Sequence, residues 1–235
     1  MAIILQSDKG GLLTAAEADN NIKELRDGIN LQIPKESDKG IKIDSLGTPD
    51  FGWHDCHGFM LQNGDDPNRP TIVNLIGGIM CCQFSENNQI MYRFHLPHDY
   101  KLGTDIFIHV HWSHKSDVVT GGSVTWGFET TYAKGHNQES LHTPVTITVN
   151  EAVNPVKHTH QVSEGAASVS GGSAGQLDTD DLEPDGMILC RLFLDSNDIT
   201  TSDASIVNPM AYFVDIHYQS TGVPTKNRLP NFYGA

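Results

Sequence analysis

The sequence predicts a mainly β protein: an antiparallel β-sandwich of jelly-roll type with a short N-terminal strand and helix that serve as an anchor. Three observations lead to this fold class. The chain of 235 residues is 38% hydrophobic yet contains 22 glycines, its apolar runs are short and rich in β-branched and aromatic residues, and no long helical pattern separates those runs. Short strands bounded by turn residues are typical of antiparallel sandwiches rather than βαβ folds. The length fits one sizeable domain with a small appendage.

The N-terminal segment, residues 1–35, differs in pattern from the rest. A short apolar strand at 2–5 and a turn at 7–11 precede an amphipathic helix predicted over 15–26. Thr14 can cap this helix, and Glu17 three residues later completes a capping box. The helix is short and its apolar stripe narrow, so it needs a surface to dock on. Two alternatives are open: it packs on its own domain, or it anchors the protein to a partner chain.

Two further regions follow the anchor. Residues 36–71 are dominated by turn residues and predict a connector, and residues 72–235 predict the β-sandwich domain. The six clearest predicted strands are residues 90–96, 105–113, 124–132, 145–149, 187–194 and 211–219. Residues 117–122 predict a hairpin between the second and third of these strands. The small-residue segment 163–181 predicts a long exposed loop.

Charge and cysteine content exclude several classes of protein. The formal net charge of −14 disfavours a partner with a phosphate backbone, so no nucleic acid is expected. The four cysteines show no CxxC spacing, which indicates reduced thiols and synthesis in a cytoplasm. No apolar run is long enough to span a bilayer and no signal-peptide pattern precedes one, so we expect no membrane insertion.

Three histidines lie in the stretch IHVHWSH, residues 108–114, which covers most of the predicted strand 105–113 and the residue after it. Strand alternation places His109 and His111 on one face, about 6.5–7 Å apart, close enough for one divalent ion to bridge them. Asp215 and His217 likewise share a face of strand 211–219. If the two strands are neighbours, these four side chains can converge.

The other chemical signatures favour a protein that is not an enzyme. A cupin-type HxH pair is followed three or four residues later by a glutamate ligand, whereas Lys115 and Ser116 occupy that interval here. The GxSxG, P-loop and HExxH motifs are absent from the sequence. We therefore expect no cofactor and no tightly bound metal, with His109, His111, His217 and Asp215 as the candidates if a metal does bind. The clusters HDCH at 54–57 and HTH at 158–160 are expected to be solvated or interfacial.

Several segments together resemble structural proteins of tailed-bacteriophage virions. They are the opening LQSDKGGLLTAAEADNNIKEL, the stretches IHVHWSH, GSVTWGFETTYAKG, LEPDGMILCRLFLD and FVDIHYQS, and the terminal KNRLPNFYGA. The resemblance implies a homotrimeric β domain attached to the particle by the N-terminal segment, in a virion assembled in the host cytoplasm. The implied virion-anchoring residues are Ile3, Leu5, Leu13, Ile22 and Leu25.

Three functions are compatible with these features. The first is a short trimeric fibre or spike that contacts other virion proteins (capsid, portal or tail) and a host-surface glycan or protein. The alternative is a capsid decoration or cement protein of the same fold, which copy number per particle would distinguish. The third is a metal-dependent cupin-like enzyme, which metal analysis of the purified protein would distinguish.

Overall fold

The computed structural model describes residues 14–16, 18, 31–32, 42–43, 51–61 and 65–232. The chain divides into two compact units, Met1–Asp50 and Phe51–Ala235. In the first unit, strands β1 (Leu31–Gln32) and β2 (Lys42–Ile43) pair in antiparallel orientation. Among the described residues, no helix has the length and apolar character needed to cross a membrane.

Only the start of the predicted anchor helix lies within the described residues. Ala15, Ala16 and Ala18 are helical, and the Ala18 N–H donates a hydrogen bond to the Thr14 carbonyl at 3.0 Å. The remainder of the predicted helix lies outside the described residues. So do the implied virion-anchoring residues, which are Ile3, Leu5, Leu13, Ile22 and Leu25.

The second unit is built from strands joined mostly by turns. Its strands are β3 (Gly52–His57), β4 (Phe59–Leu61), β5 (Thr71–Ile76), β6 (Ile79–Gln83), β7 (Gln89–His95), β8 (Phe107–Ser113), β9 (Val119–Gly121), β10 (Ser123–Ala133), β11 (Val145–Ala152), β12 (Gln161–Ala166), β13 (Ser168–Val169), β14 (Leu177–Asp178), β15 (Met187–Asn197), β16 (Thr200–Thr201) and β17 (Met210–Ser220). A 3-10 helix, Thr179–Asp181, follows β14. All six clearest predicted strands are present, as β7, β8, β10, β11, β15 and β17.

Two antiparallel sheets form a sandwich. One has the order β11-β10-β15-β7-β4, and the other has the order β12-β8-β17-β6-β5 with β3 also paired to β17. These strand orders match those of a jelly roll, whose eight strands B to I form two sheets with the orders BIDG and CHEF. In chain order, strands B to I correspond here to β6, β7, β8, β10, β11, β12, β15 and β17. The predicted mainly β fold of jelly-roll type is confirmed.

The prediction of a long exposed loop over residues 163–181 was wrong. This segment supplies most of β12, which pairs with β8, and the side chain of Ser163 is fully buried. A Cβ atom built on Gly165 would lie only 2.8 Å from Val149 Cγ2 and 3.0 Å from Ile147 Cδ1. The small residues therefore allow a close approach between elements here, and their low complexity does not indicate a solvated loop.

The predicted hairpin at residues 117–122 was also wrong. Strands β8 and β10 belong to different sheets, and β9 between them pairs with β16 instead. The connection is thus a crossover from one sheet to the other. The sandwich also takes in β3, which pairs with β17, and β4, which pairs with β7, although the sequence placed these residues in the connector.

Aromatic side chains fill the space between the sheets. Trp112 of β8 and Trp126 of β10 face each other with ring centroids 6.2 Å apart, and Phe84 meets Trp126 edge-on at 5.1 Å. All three side chains are fully buried. Because Ile108 and Val110 point inward with Trp112, the alternate residues of β8 lie on the outer face of the sheet.

The two core tryptophans should respond differently to replacement by phenylalanine. Trp112 Nε1 donates to Ser163 Oγ at 2.9 Å, whereas Trp126 Nε1 is buried without a hydrogen-bond partner among the described residues. Both substitutions remove the same volume, but only Trp112→Phe leaves a buried hydroxyl without its donor. We expect Trp112→Phe to lower the free energy of unfolding by about 1–2 kcal/mol more than Trp126→Phe. Urea denaturation of both variants measures this difference, and equal costs would contradict the assignment.

A hairpin of β5 and β6, residues 71–83, extends from the edge of the six-stranded sheet; we call it the β5–β6 arm. It joins β17 only where Gln83 and Cys82 lie opposite Met210 and Ala211. Gly77 and Gly78 form its two-residue turn, both with positive φ, as tight hairpins require. Ile72, Ile76, Ile79 and Met80 are each at least half exposed. The arm thus leaves these apolar side chains exposed on its surface.

Candidate functional site

The four histidine and aspartate candidates predicted from the sequence lie together on the outer face of the six-stranded sheet. Strand β17 is the neighbour of β8, with Asp215 opposite His109 and His217 opposite Phe107. A register shift between Ala211 and Phe213 precedes this region and does not disturb the alternation from Phe213 to Gln219. Pairing of the two strands therefore brings His109, His111, Asp215 and His217 onto one surface, here called the histidine face.

Asp215 lies at the centre of the histidine face. Its Oδ1 atom is 2.5 Å from His109 Nε2 and 3.0 Å from His111 Nε2. Although these residues lie on the outer face, Asp215 is 2% exposed and His109 is 1% exposed, because neighbouring side chains cover them. The two nitrogens and one carboxylate oxygen form a convergent group in which all ligand atoms lie within 4.8 Å of one another.

A second carboxylate lies on the other side of His109. Glu164 on β12 is opposite His109 in the sheet register, and its Oε2 is 3.5 Å from His109 Nδ1. The same Oε2 accepts a hydrogen bond from His217 Nδ1 at 2.7 Å, and His217 Nε2 is 2.8 Å from Asp55 Oδ1 on β3. His109, Glu164 and His217 thus form a second group with metal-ligand spacing.

Two more histidines border the site. His111 Nδ1 is 2.6 Å from His160 Nε2, and the two rings meet edge to edge, with an interplanar angle of 22° and centroids 4.8 Å apart. His111 stacks on Phe213 at 4.2 Å. His57 Nδ1 lies 3.6 Å from Asp215 Oδ2. Every residue of the central group therefore has a further polar neighbour.

The surroundings of His111 and Asp215 favour the unprotonated form of each. Burial lowers the pKa of His111, and the opposing effect of the Asp215 charge does not restore it to the usual value. Burial alone raises the pKa of Asp215, but the hydrogen bond from His109 and the charges of His109 and His111 outweigh that effect and lower it. A neutral imidazole and an ionised carboxylate are the forms that bind metal ions.

The sequence did not indicate that Glu164, His57, Asp55 or His160 belongs to the site. Glu164 was hidden by the erroneous loop prediction. Asp55 and His57 were assigned to a solvated or interfacial cluster, although alternation within GWHDCH already placed both side chains on one strand face. Lys115, which occupies the position of a cupin-type ligand, donates to the Asn74 carbonyl at 3.3 Å. The third potential ligand comes from the neighbouring strand instead.

No protein-family model matches this chain, and no curated protein matches it. Among solved structures, it is similar to the CBM22-1 and GH10 modules of the N-terminal part of endo-1,4-β-D-xylanase 10B from Clostridium thermocellum, crystallised with xylohexaose. The identity is 12% and the TM-score is 0.28. The similarity covers 75% of this chain and 28% of the xylanase chain, so this chain spans little more than a quarter of that protein's length.

Proposed function

We propose that this protein is a non-enzymatic component of a tailed-bacteriophage virion, a short homotrimeric fibre or spike whose residues 1–35 anchor it to the particle. Its sandwich is exposed for contact with a host-surface glycan or protein. The resemblance of both ends and the middle of the sequence to such proteins supports this assignment. Viral capsid proteins and lectins are among the proteins that use the jelly-roll fold.

The β5–β6 arm is the observation that carries the proposal. A two-stranded hairpin is marginally stable alone in water, and this one has half-exposed Ile72, Ile76, Ile79 and Met80. Ile76 and Ile79 pair across the hairpin on one of its faces, and Ile72 and Met80 lie on the other. Exposed apolar side chains grouped in this way mark a site of association. The chain as a whole has a net charge of −14, whereas the arm, residues 71–83, contains no charged side chain. We assign the arm to the contact between copies of this chain.

The mass in solution and the location in particles test the proposal. Light scattering of the full-length protein at micromolar concentration should give three times the 25.8 kDa chain mass. Antibodies to the sandwich should label intact virions at the tail or a vertex, with a few dozen copies or fewer in a particle reconstruction. Hundreds of copies on the capsid would instead assign a decoration role. A monomer, or absence from purified particles, would overturn the proposal.

Removing residues 1–50 should abolish incorporation into particles and leave the sandwich folded. The second compact unit begins at Phe51, and the two strands described within residues 1–50, β1 and β2, pair with each other. We expect the truncated protein to remain soluble and to melt within about 3 °C of the full-length protein, a shift that corresponds to roughly 1 kcal/mol for a domain of this size. Circular dichroism measures melting, and particle purification measures incorporation. An insoluble truncated chain, or one that is still incorporated, would contradict an anchoring role.

A further inference from the structure

We propose that the histidine face binds one divalent first-row transition-metal ion, with His109 Nε2, His111 Nε2 and Asp215 Oδ1 as its protein ligands. The site is independent of the virion assignment, and it replaces the sequence-based expectation that no metal binds tightly. That expectation rested on the lack of a third ligand after the HxH pair, and β17 supplies one.

Proton positions give the first reason. Without a metal ion, the Asp215 carboxylate only accepts, so both Nε2 atoms must donate to it. A neutral imidazole that donates from Nε2 has a bare lone pair on Nδ1. His109 Nδ1 is fully buried, has no hydrogen-bond partner among the described residues, and faces Glu164 Oε2 at 3.5 Å. A buried acceptor then faces another acceptor, which is unfavourable.

A bound ion removes this conflict. When the ion takes the Nε2 lone pair of each histidine, the ring proton moves to Nδ1. His109 Nδ1–H then faces Glu164 Oε2 at 3.5 Å as a donor facing an acceptor, and His111 Nδ1–H can donate to His160 Nε2 at 2.6 Å. Histidine ligands of metal ions nearly always donate their second ring nitrogen to an acceptor of this kind. His217 Nδ1 holds the Glu164 carboxylate in place at 2.7 Å.

The separation of the ligand atoms fits an ion with little rearrangement. In a tetrahedral site with bonds of about 2.0–2.1 Å, ligand atoms lie about 3.3 Å apart. The observed nitrogen–oxygen distances of 2.5 and 3.0 Å would open by less than about 1 Å. Two imidazoles and one carboxylate favour zinc or ferrous iron over calcium or magnesium, which prefer oxygen ligands. Three protein ligands also leave coordination positions for water.

The competing arrangement contains no metal. A doubly protonated His109 would donate to Asp215 from Nε2 and to Glu164 from Nδ1, and the histidine face would be a buried ion-pair network. Such a network binds Zn²⁺ weakly or not at all, because the ion would have to displace a proton held between two carboxylates. Metal affinity therefore distinguishes the two arrangements.

The test is titration of untagged, full-length protein with Zn²⁺, and with Co²⁺ as a spectroscopic probe. We expect one equivalent per chain at this site with a micromolar or lower dissociation constant, and visible Co²⁺ absorption of a four- or five-coordinate site. His111→Gln and Asp215→Asn should each weaken binding at least about 100-fold. Glu164→Gln removes only the acceptor for His109 and should weaken binding about 10–100-fold.

His95→Gln is the matched control. His95 Nε2 lies 2.6 Å from Asp185 Oδ1, so this variant loses a histidine–aspartate pair elsewhere on the sandwich, and its Zn²⁺ affinity should be unchanged. Circular dichroism checks the fold of each variant. If Asp215→Asn does not fold, the partly exposed His111 and Glu164 variants decide the outcome. Wild-type protein that leaves Zn²⁺ unbound at 100-micromolar levels, or site variants that retain wild-type affinity, would overturn the proposal.

Discussion

Replacing Gly122 with alanine should lower the free energy of unfolding by about 3–5 kcal/mol, because the residue combines a left-handed backbone with a close backbone contact. Its φ is +108°, and a Cβ atom there would lie 2.2 Å from the Asp198 carbonyl oxygen and 2.8 Å from Ile199 Cα. Neither backbone can easily yield: the Asp198 N–H donates to the Ser123 carbonyl, and the Gly122 carbonyl accepts from the Val153 N–H.

Gly78→Ala is a closely matched control for this effect. Gly78 has a similar φ of +102°, yet nothing lies within 4 Å of the Cβ position. Its substitution therefore carries the backbone penalty alone, about 1–2 kcal/mol. Urea denaturation at one protein concentration measures both variants. Equal losses would show that the contact with Asp198 is relieved by a small shift and does not determine the cost.

Substitution of the two isoleucines at the tip of the β5–β6 arm, Ile76→Lys with Ile79→Glu, should convert the proposed trimer to a monomer. The two residues are paired across the hairpin and are 50% and 64% exposed. Opposite charges on directly paired strand positions favour the hairpin itself, whereas burying them between subunits is costly. Light scattering should therefore show a mass near one chain, with an unchanged circular dichroism spectrum.

A second double variant controls for the general effect of charging exposed apolar residues. Val156 and Val223 are 63% and 69% exposed and lie outside the arm. Val156→Lys with Val223→Glu should leave the proposed trimer intact. If both double variants stay trimeric, the arm is not the subunit contact, and if both become monomeric, the effect is not specific to the arm.

The sequence predicted the sandwich well because inward-facing and outward-facing residues alternate clearly in strands such as β8. The inward residues of β8 are Ile108, Val110 and Trp112, and three of the four alternate residues are polar, so both the strand and its two faces could be assigned. Strand β12 has no such pattern. Its Gly165 and Ala166 resemble a loop in sequence, and only the close approach of Ile147 and Val149 explains why small residues lie there. Packing between distant segments leaves no local periodic signal.

The same distinction applies to the histidine face. Alternation alone put His109 with His111 and Asp215 with His217, because each pair lies two residues apart in one strand. The pairing of β8 with β17 joins residues about a hundred positions apart, and no local pattern specifies it. Glu164 could be found only after β12 was known to be a strand. The sequence thus predicted that each pair shares a strand face, but it did not show that the two pairs lie side by side.

Strand β17 sets the order in which the sandwich can be completed. It lies inside its sheet, with β8 along one edge and β6 and β3 along the other. During translation these three strands emerge well before residues 210–220, so their hydrogen-bonding edges stay unpaired until β17 has left the ribosome. Sheet closure is therefore a late event governed by long-range pairing, which is slow. Protection of the nascent chain by chaperones is most needed in that interval.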